Sequence, residues 1–302
     1  MTAALSGCAR HESTATRLAE LASGLSKTEN RHAFALDAVE STARDTLNRA
    51  VQSTLANTES ALLTGNITHL DLALGVDARS ATAEALLVYR LAETREHFVF
   101  NQSSISYYDA RGTLNVGLGH RYLNPSETLL VGSNLFVDYE ADSGHRRASV
   151  GLEALSVSDL EFRANYYHAL SNETLFNSVY ETALHGRDFK LTYQLPFFLS
   201  SDLYVKNARW FRDGYHTTTN TWGFNASPWP QITRGIASDK TDGDTATRSF
   251  TLTYSLPLNG SDTAMTPAPS SLRAALYQPV QRENRIKKKM VRLGVTFSGY
   301  SS

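Results

Sequence analysis

The sequence predicts an all-β fold, a transmembrane antiparallel up-and-down β-barrel of about twelve strands. Three observations predict it. From about residue 67 the hydrophobic period is two, as in half-buried strands. The face opposite the apolar one is rich in Gly, Ser, Asn and Thr, with a few charges of both signs. The segments between turn signals mostly have the ~9–11 residues that a tilted membrane strand needs.

The alternation places the strands at 67–76, 81–92, 96–109, 111–123, 127–140, 145–157, 159–170, 185–196, 200–212, 217–227, 231–239 and 247–257. The last is the cleanest. Phe250, Leu252, Tyr254 and Leu256 share one face, and Ser249, Thr251, Thr253 and Ser255 the other. In 111–123, Leu114, Val116, Leu118 and Tyr122 oppose Asn115, Gly117, Gly119 and Arg121. The spans 200–212 and 231–239 are weaker. In the register of 231–239 Arg234 faces lipid, which costs a few kcal/mol at the midplane. It belongs at an interface, or the register shifts.

A soluble sandwich and a membrane barrel both alternate. A sandwich's outer face meets bulk water and accepts long charged side chains freely, whereas small polar residues suit a confined lumen. Aromatics near strand ends (Tyr107, Tyr108, Tyr122, Tyr139, Trp210, Trp222, Trp229) suit interfacial girdles. Tight connections at Asn124–Ser126, Ser158 and Pro228–Pro230 alternate with longer ones at Ser171–Leu184 and Asp239–Thr247, the barrel habit of short and long ends. A mean hydropathy of −0.30 and a net charge of −1 agree with a barrel, whose apolar residues occupy alternate positions. The longest apolar runs, such as Leu195–Phe198, are far short of a spanning helix of roughly 18 residues.

Three domains follow. Residues 1–65 form a helical segment, with Ala33, Leu36, Val39, Ala43 and Leu47 at helical spacing. It is polar on most faces, as a solvated connector is. Cys8 closes Leu5-Ser6-Gly7-Cys8, which resembles a lipoprotein cleavage box; the preceding residues are too few for a full signal. Either the true start lies upstream and Cys8 carries a lipid, or the match is chance. The barrel occupies 66–257. In 258–302, Gly260, Pro267 and Pro269 mark a linker, Ser271–Arg285 a short amphipathic helix interrupted at Pro279, and Arg282–Arg292 a basic run before a β-prone end.

The predicted lumen face carries Arg121, Asp138, Arg147, Glu153, Glu161 and Arg163. A water-poor lumen forces opposite charges to pair, because a buried unpaired charge is costly. A structural ion network is the plain expectation. Catalysis finds little footing: the usual nucleophile-elbow, zinc and phosphate-loop motifs are absent. Asp202, His216 and Ser227 are imaginable as a hydrolytic set, but nothing orders them. The nine histidines are scattered, with His145 expected in a surface loop and His120 and His168 near strand ends; no spacing suggests a metal site. The reading is therefore of a protein that is not an enzyme and needs no cofactor. The basic run lacks interleaved aromatics, so nucleic acid is not expected.

The stretch Asp109-Ala-Arg-Gly-Thr-Leu-Asn-Val-Gly-Leu-Gly-His-Arg-Tyr-Leu123 resembles a hallmark segment of the intimin/invasin barrel, of the inverse-autotransporter type. Leu130–Tyr139, His145–Arg147, Val150–Ala154 and Tyr277–Arg285 are similar to further segments of that family. The resemblance spans about 32–296 with gaps. It implies an outer-membrane barrel of a Gram-negative bacterium, with a periplasmic N-terminus and an extracellular C-terminus. After the last strand the chain would form a periplasmic helix and thread back through the lumen as Ile286–Tyr300. Arg285, Lys287, Lys288, Lys289 and Arg292 would then meet the lumen carboxylates Asp138, Glu153 and Glu161. Implied partners are outer-membrane lipid, the barrel-assembly machinery, periplasmic chaperones, and a separately encoded passenger or surface ligand. The family usually begins its extracellular domains where this sequence stops, so adhesion does not carry over directly. Two rival readings are a plugged porin-like channel without export and an adhesin acting through Ser171–Leu184, Asp213–Asn220 and Asp239–Thr247.

Overall fold

A computed structural model of the chain describes residues 66–77, 81–108, 111–195, 200–229, 231–257 and 271–292. The predicted N-terminal helix and Cys8 lie outside these. Twelve strands close into an antiparallel barrel: β1 (Ile67–Asp77), β2 (Ala81–Glu93), β3 (His97–Tyr108), β4 (Arg111–Leu123), β5 (Leu129–Glu140), β6 (Arg146–Ser156), β7 (Leu160–Ala169), β10 (His185–Leu195), β11 (Ser201–Arg212), β12 (Tyr215–Trp229), β13 (Ile232–Thr241) and β14 (Thr247–Pro257). β14 pairs with β1, Leu72 opposite Tyr254, so no sheet edge is left open.

The predicted faces are the observed ones. Leu118, Leu135 and Leu152 are more than half exposed on the outside, while Asn115, Asn134 and Asp138 are buried inside. Polar residues buried and Leu exposed is the inverse of a soluble protein, and it is stable only where the outside is lipid. Along β12 the predicted span 217–227 lengthens to Tyr215–Trp229, with a register shift between Ala226 and Trp229. That irregularity takes up Pro228, which has no N–H for the ladder. Arg234 does point outward, near the strand end, with its guanidinium 5.2 Å from the centre of the Trp229 ring. It sits at the interface.

Several expectations change. Trp210 is not a girdle residue: it points into the lumen, buried against Tyr167. Tyr108 also faces inward, and Trp222, 70 % exposed, stands mid-strand. His145 is fully buried, its Nδ1 bonded to Ser171 Oγ at 2.9 Å. The loop at Ser171–Leu184 contains a hairpin, β8 (Thr174–Phe176) and β9 (Val179–Ala183). Its turn residues Asn177 and Ser178 both have positive φ, the backbone a tight two-residue hairpin demands. The expected loops at Asp213–Asn220 and Asp239–Thr247 shrink to a turn at Asp213–Gly214 and a short connection after Thr241, since strand residues take up the rest.

The C-terminal helix is also shorter than predicted. Only α1 (Leu272–Ala275) is helical, capped by the Ser271 side chain. Pro279 disfavours helix at the preceding residue, and the chain runs extended to β15 (Lys288–Arg292), which pairs with β9.

Gly117 and Gly119 have a steric role in the lumen. A Cβ on Gly119 would stand 2.2 Å from the Phe100 ring, and one on Gly117 2.3 Å from the Phe136 ring. The aromatic rings lie flat over the bare backbone, which leaves room for the segment at the lumen centre. Gly119→Val should therefore destabilise the barrel by about 1–3 kcal/mol through overpacking, read as a lower temperature at which the folded barrel loses its SDS-resistant gel mobility.

Candidate functional site

The site is the occupied lumen. The segment 271–292 runs from one mouth to the other. At the first mouth Arg273 donates to Glu127 Oε1 at 2.6 Å and to the Arg95 carbonyl at 3.1 Å, both in strand-connecting turns. At the opposite mouth Lys288 donates to Glu140 at 2.5 Å, and β15 adds to the β8–β9 hairpin.

Near the first mouth the lumen is apolar, which alternation did not predict. The inward positions Phe98, Phe100, Leu123, Leu130, Phe136 and Leu155 form a seat for Ala275, Leu276 and Val280 of the segment. Leu276 is fully buried, worth about 1.5–3 kcal/mol of apolar transfer. The signal was present: Leu123, Leu130 and Leu155 continue the minority face, but with apolar residues.

Beyond the seat, barrel side chains grip the segment's backbone. Arg121, 1 % exposed, donates through Nη1 to the carbonyls of Ala275 (3.3 Å), Leu276 (2.7 Å) and Gln278 (2.5 Å), and through Nε to Glu153 at 2.6 Å. Gln102 pairs with Val280 like a strand neighbour: the Val280 N–H donates to Oε1 at 2.7 Å, and Nε2 donates to the Val280 carbonyl at 3.2 Å. Arg147 donates to the carbonyls of Glu283 (2.6 Å) and Arg285 (2.8 Å), and through Nε to Asp138 at 2.7 Å. Tyr167 donates to Asp188 at 2.7 Å and accepts from the Glu283 N–H at 2.8 Å. An extended chain without sheet partners has its carbonyls and amides unpaired. In a water-poor lumen each would cost the desolvation penalty of a polar group. These side chains supply the missing pairs.

The six lumen residues singled out from sequence come together in this wall. Glu153 joins Arg121 to Arg163 (3.7 Å), and Arg163 also pairs with Glu161 at 3.2 Å. Those two carboxylates bind barrel arginines and not the tail, which departs from the expected rail. Asp138 does meet the segment, but through Arg282, whose two terminal nitrogens lie 2.8 and 2.7 Å from its oxygens. Arg282 also covers the Phe136 ring at 4.4 Å. From sequence Arg282 is only the start of the basic run, with no partner assigned, and Gln102 is missed, since a single Gln on the right parity carries no pattern.

The basic residues that were expected to face the wall divide. Arg285 and Lys287 both pair with Glu283 of their own segment, at 3.1 and 3.5 Å. Lys288 reaches Glu140 and, at 3.5 Å, Glu181 of the hairpin, which Arg111 holds at 2.6 Å. Lys289 lies 5.5 Å from the Tyr215 ring centre. Arg292 ends β15 opposite Val179.

The β11–β14 wall is a different surface. A cavity of about 190 Å³ separates it from the segment, bounded by Thr219, Thr221, Thr241 and Thr247 on the barrel side and Glu283, Arg285 and Lys287 on the other. Asp202 lies inside, bonded to Asn225, while His216 is exposed at the other end of the β11–β12 ladder. Asp202, His216 and Ser227 are not brought together. No group of three or more metal-ligating side chains occurs among the described residues.

A closed membrane barrel that grips an extended stretch of its own chain from mouth to mouth is a plugged outer-membrane β-barrel protein. The sequence matches the family described as inverse autotransporter, beta-domain, over residues 13–284. The chain belongs to that family, and is an outer-membrane translocator and anchor barrel. Among solved structures, one described as "Unveiling the Mechanism Behind the in-meso Crystallization of Membrane Proteins" superposes with a TM-score of 0.69 at 19% identity, covering 74% of this chain and 100% of that one. The KdgM porin is similar over 62% of this chain and 99% of its own at 8% identity, with a TM-score of 0.47. No curated protein matches the sequence.

Two predictions follow from the grip. Arg121→Gln leaves Glu153 buried with only the longer Arg163 contact and removes the donor shared by three carbonyls, of which, among the described residues, only that of Ala275 keeps another partner, the Gln278 N–H. Loss of one partner of a buried pair typically costs about 3–5 kcal/mol, so single-channel conductance in planar bilayers should rise. Lys288→Gln should raise it less, and Lys289→Gln should leave it unchanged. The Glu127–Arg273 contact responds to pH. The Arg273 guanidinium holds the Glu127 carboxyl below its ordinary value. A depressed carboxylate stabilises above its unfolded value and loses that contribution as pH falls through the folded value. Protease cleavage near α1 should therefore increase below about pH 4 and stay flat from pH 5 to 8; Glu127→Gln should cleave readily throughout.

Proposed function

We propose that the barrel displays the chain that follows β15 on the cell surface. The α1 mouth is periplasmic in this reading and the β8–β9 mouth extracellular. The observation that carries it is the mouth-to-mouth course of 271–292, with its backbone paired along the way and its last strand handed to a hairpin outside the barrel wall. A plug that only blocked a channel would not need to leave by the far mouth. Arg121, Gln102 and Arg147 bond to the backbone, so that part of the grip is indifferent to side-chain identity, as suits a lumen through which other sequence has to pass, while Leu276 and Arg282 hold this particular stretch in register. In this reading assembly draws on the barrel-assembly machinery and periplasmic chaperones, and adhesion is the work of whatever the tail presents.

A channel role has its own supporting observation in the threonine-lined cavity beside the segment. An epitope tag after Ser302, probed by antibody on intact and then permeabilised cells, separates the two. Labelling of intact cells is expected. Labelling only after permeabilisation would reverse the orientation and leave the channel reading in front.

A further inference from the structure

At the β8–β9 mouth the outer surface of β10–β14 carries a group of exposed cations, where β6 has the single Arg146 beside the Tyr139 ring. Arg187 of β10 and Arg209 of β11 are both exposed on the outer face and stand directly opposite each other in the ladder. Like charges directly opposite in an antiparallel pair repel. No carboxylate lies within ion-pair distance of either among the described residues. Two strands further on, Lys240 of β13 and Arg248 of β14 are exposed on the same outer face, on diagonal register positions, with the Lys240 ammonium also donating to the Asp244 carbonyl at 2.6 Å. Between the two pairs, Asn207 donates to Asn220 across β11 and β12 at 2.7 Å, both also exposed and outward.

All four cations lie within a few residues of the strand ends at that mouth. There a lipid-facing charge costs only about 0–1 kcal/mol, against 2–4 at the midplane. Immediately below them the outer face returns to Phe189, Phe250 and Trp222, so the cations sit at headgroup level. The nearby acidic groups are in the turns: Asp213 is 3.5 Å from Arg212 Nε, and Asp242 accepts from the Thr218 N–H at 3.0 Å. At the α1 mouth the outward Arg234 is instead covered by Trp229.

We propose that Arg187 and Arg209, with Lys240 and Arg248 beside them, form a binding surface for the phosphate groups of a membrane lipid headgroup in the leaflet at this mouth. A guanidinium pair offers planar forks that match phosphate oxygens two at a time. An anion between Arg187 and Arg209 turns their repulsion into attraction. The asparagine pair offers amide groups to the sugar or glycerol part of the same headgroup. With the orientation proposed above, the leaflet is the outer one, and the ligand is a phosphorylated glycolipid; the binding itself does not depend on that orientation. Bound lipid would also fix the rotation and depth of the barrel on the side where the plug makes fewest contacts.

The test is native mass spectrometry of the full chain in detergent, titrated with bis-phosphorylated lipid A. A saturable adduct is expected. Arg187→Gln with Arg209→Gln should weaken it roughly tenfold, about 1.4 kcal/mol, while Lys at both positions should weaken it less, since charge remains and the fork is lost. SDS-resistant gel mobility confirms that each variant is folded. Lipid A with its phosphates removed should not bind, and millimolar inorganic phosphate should not displace the intact lipid. Equal binding by the Gln variant or by dephosphorylated lipid would overturn the proposal. Displacement by free phosphate would overturn the lipid source. The epitope experiment reads orientation alone, so the two readings fail separately.

Discussion

The structure depends on how two buried guanidiniums are satisfied. Arg121 and Arg147 each have a carboxylate on one side, Glu153 and Asp138, and backbone carbonyls of the threaded segment on the other. Neither half suffices. A carboxylate alone would leave donor N–H groups unpaired in a water-poor lumen, and carbonyls alone would leave the charge unneutralised. The barrel wall and the segment therefore complete one another. This also explains why the ion network is built on the β4–β7 side: it lies where the segment passes.

The grip is graded along the lumen. At the α1 mouth it is apolar, from Phe98, Leu123, Leu130 and Leu155 around Leu276. At mid-lumen it is made of hydrogen bonds to backbone and the Arg282–Asp138 pair, and at the far mouth of ion pairs around Lys288, Glu140, Glu181 and Arg111. Only the last contact with the barrel reads side-chain charge on the emerging strand. β15 then pairs by main chain with β9, a strand addition that depends on backbone and not on sequence. The segment is thus held by backbone bonds that ask little of its side chains, together with side-chain contacts at Arg273, Leu276, Arg282 and Lys288.

The outer surface is the complement of this interior. Lipid favours apolar residues at outward midplane positions, and the lumen takes most of the polar ones. Outward charges break that rule singly at Arg234 and Arg146, each over an aromatic ring, and together at Arg187, Arg209, Lys240 and Arg248 near one mouth. Singly, such residues would be ordinary interfacial charges. Gathered on neighbouring strands, with two of them in direct opposition, they create a local positive potential that suits an anionic group of the membrane surface.

The sequence alone determined the barrel. A strict period of two over strands of membrane length leaves one arrangement in which Leu118 faces lipid and Asn115 does not, and a one-residue slip would reverse both. It also determined which charges face the lumen, because parity follows from register: Arg121, Asp138, Arg147, Glu153, Glu161 and Arg163 all lie on the buried face. What it could not determine is which charge meets which. Pairing depends on the shear between strands and on the height at which the segment passes, and neither leaves a trace in periodicity. Charge sign alone matches Glu153 and Glu161 to the tail, whereas Arg121 and Arg163 stand nearer. Arg282 found Asp138 only once the chain was threaded. The β8–β9 hairpin and the apolar seat likewise find their partners, β15 and Leu276, only in the threaded segment. Local sequence sets a residue's face; only closure of the barrel around its own tail sets its partner.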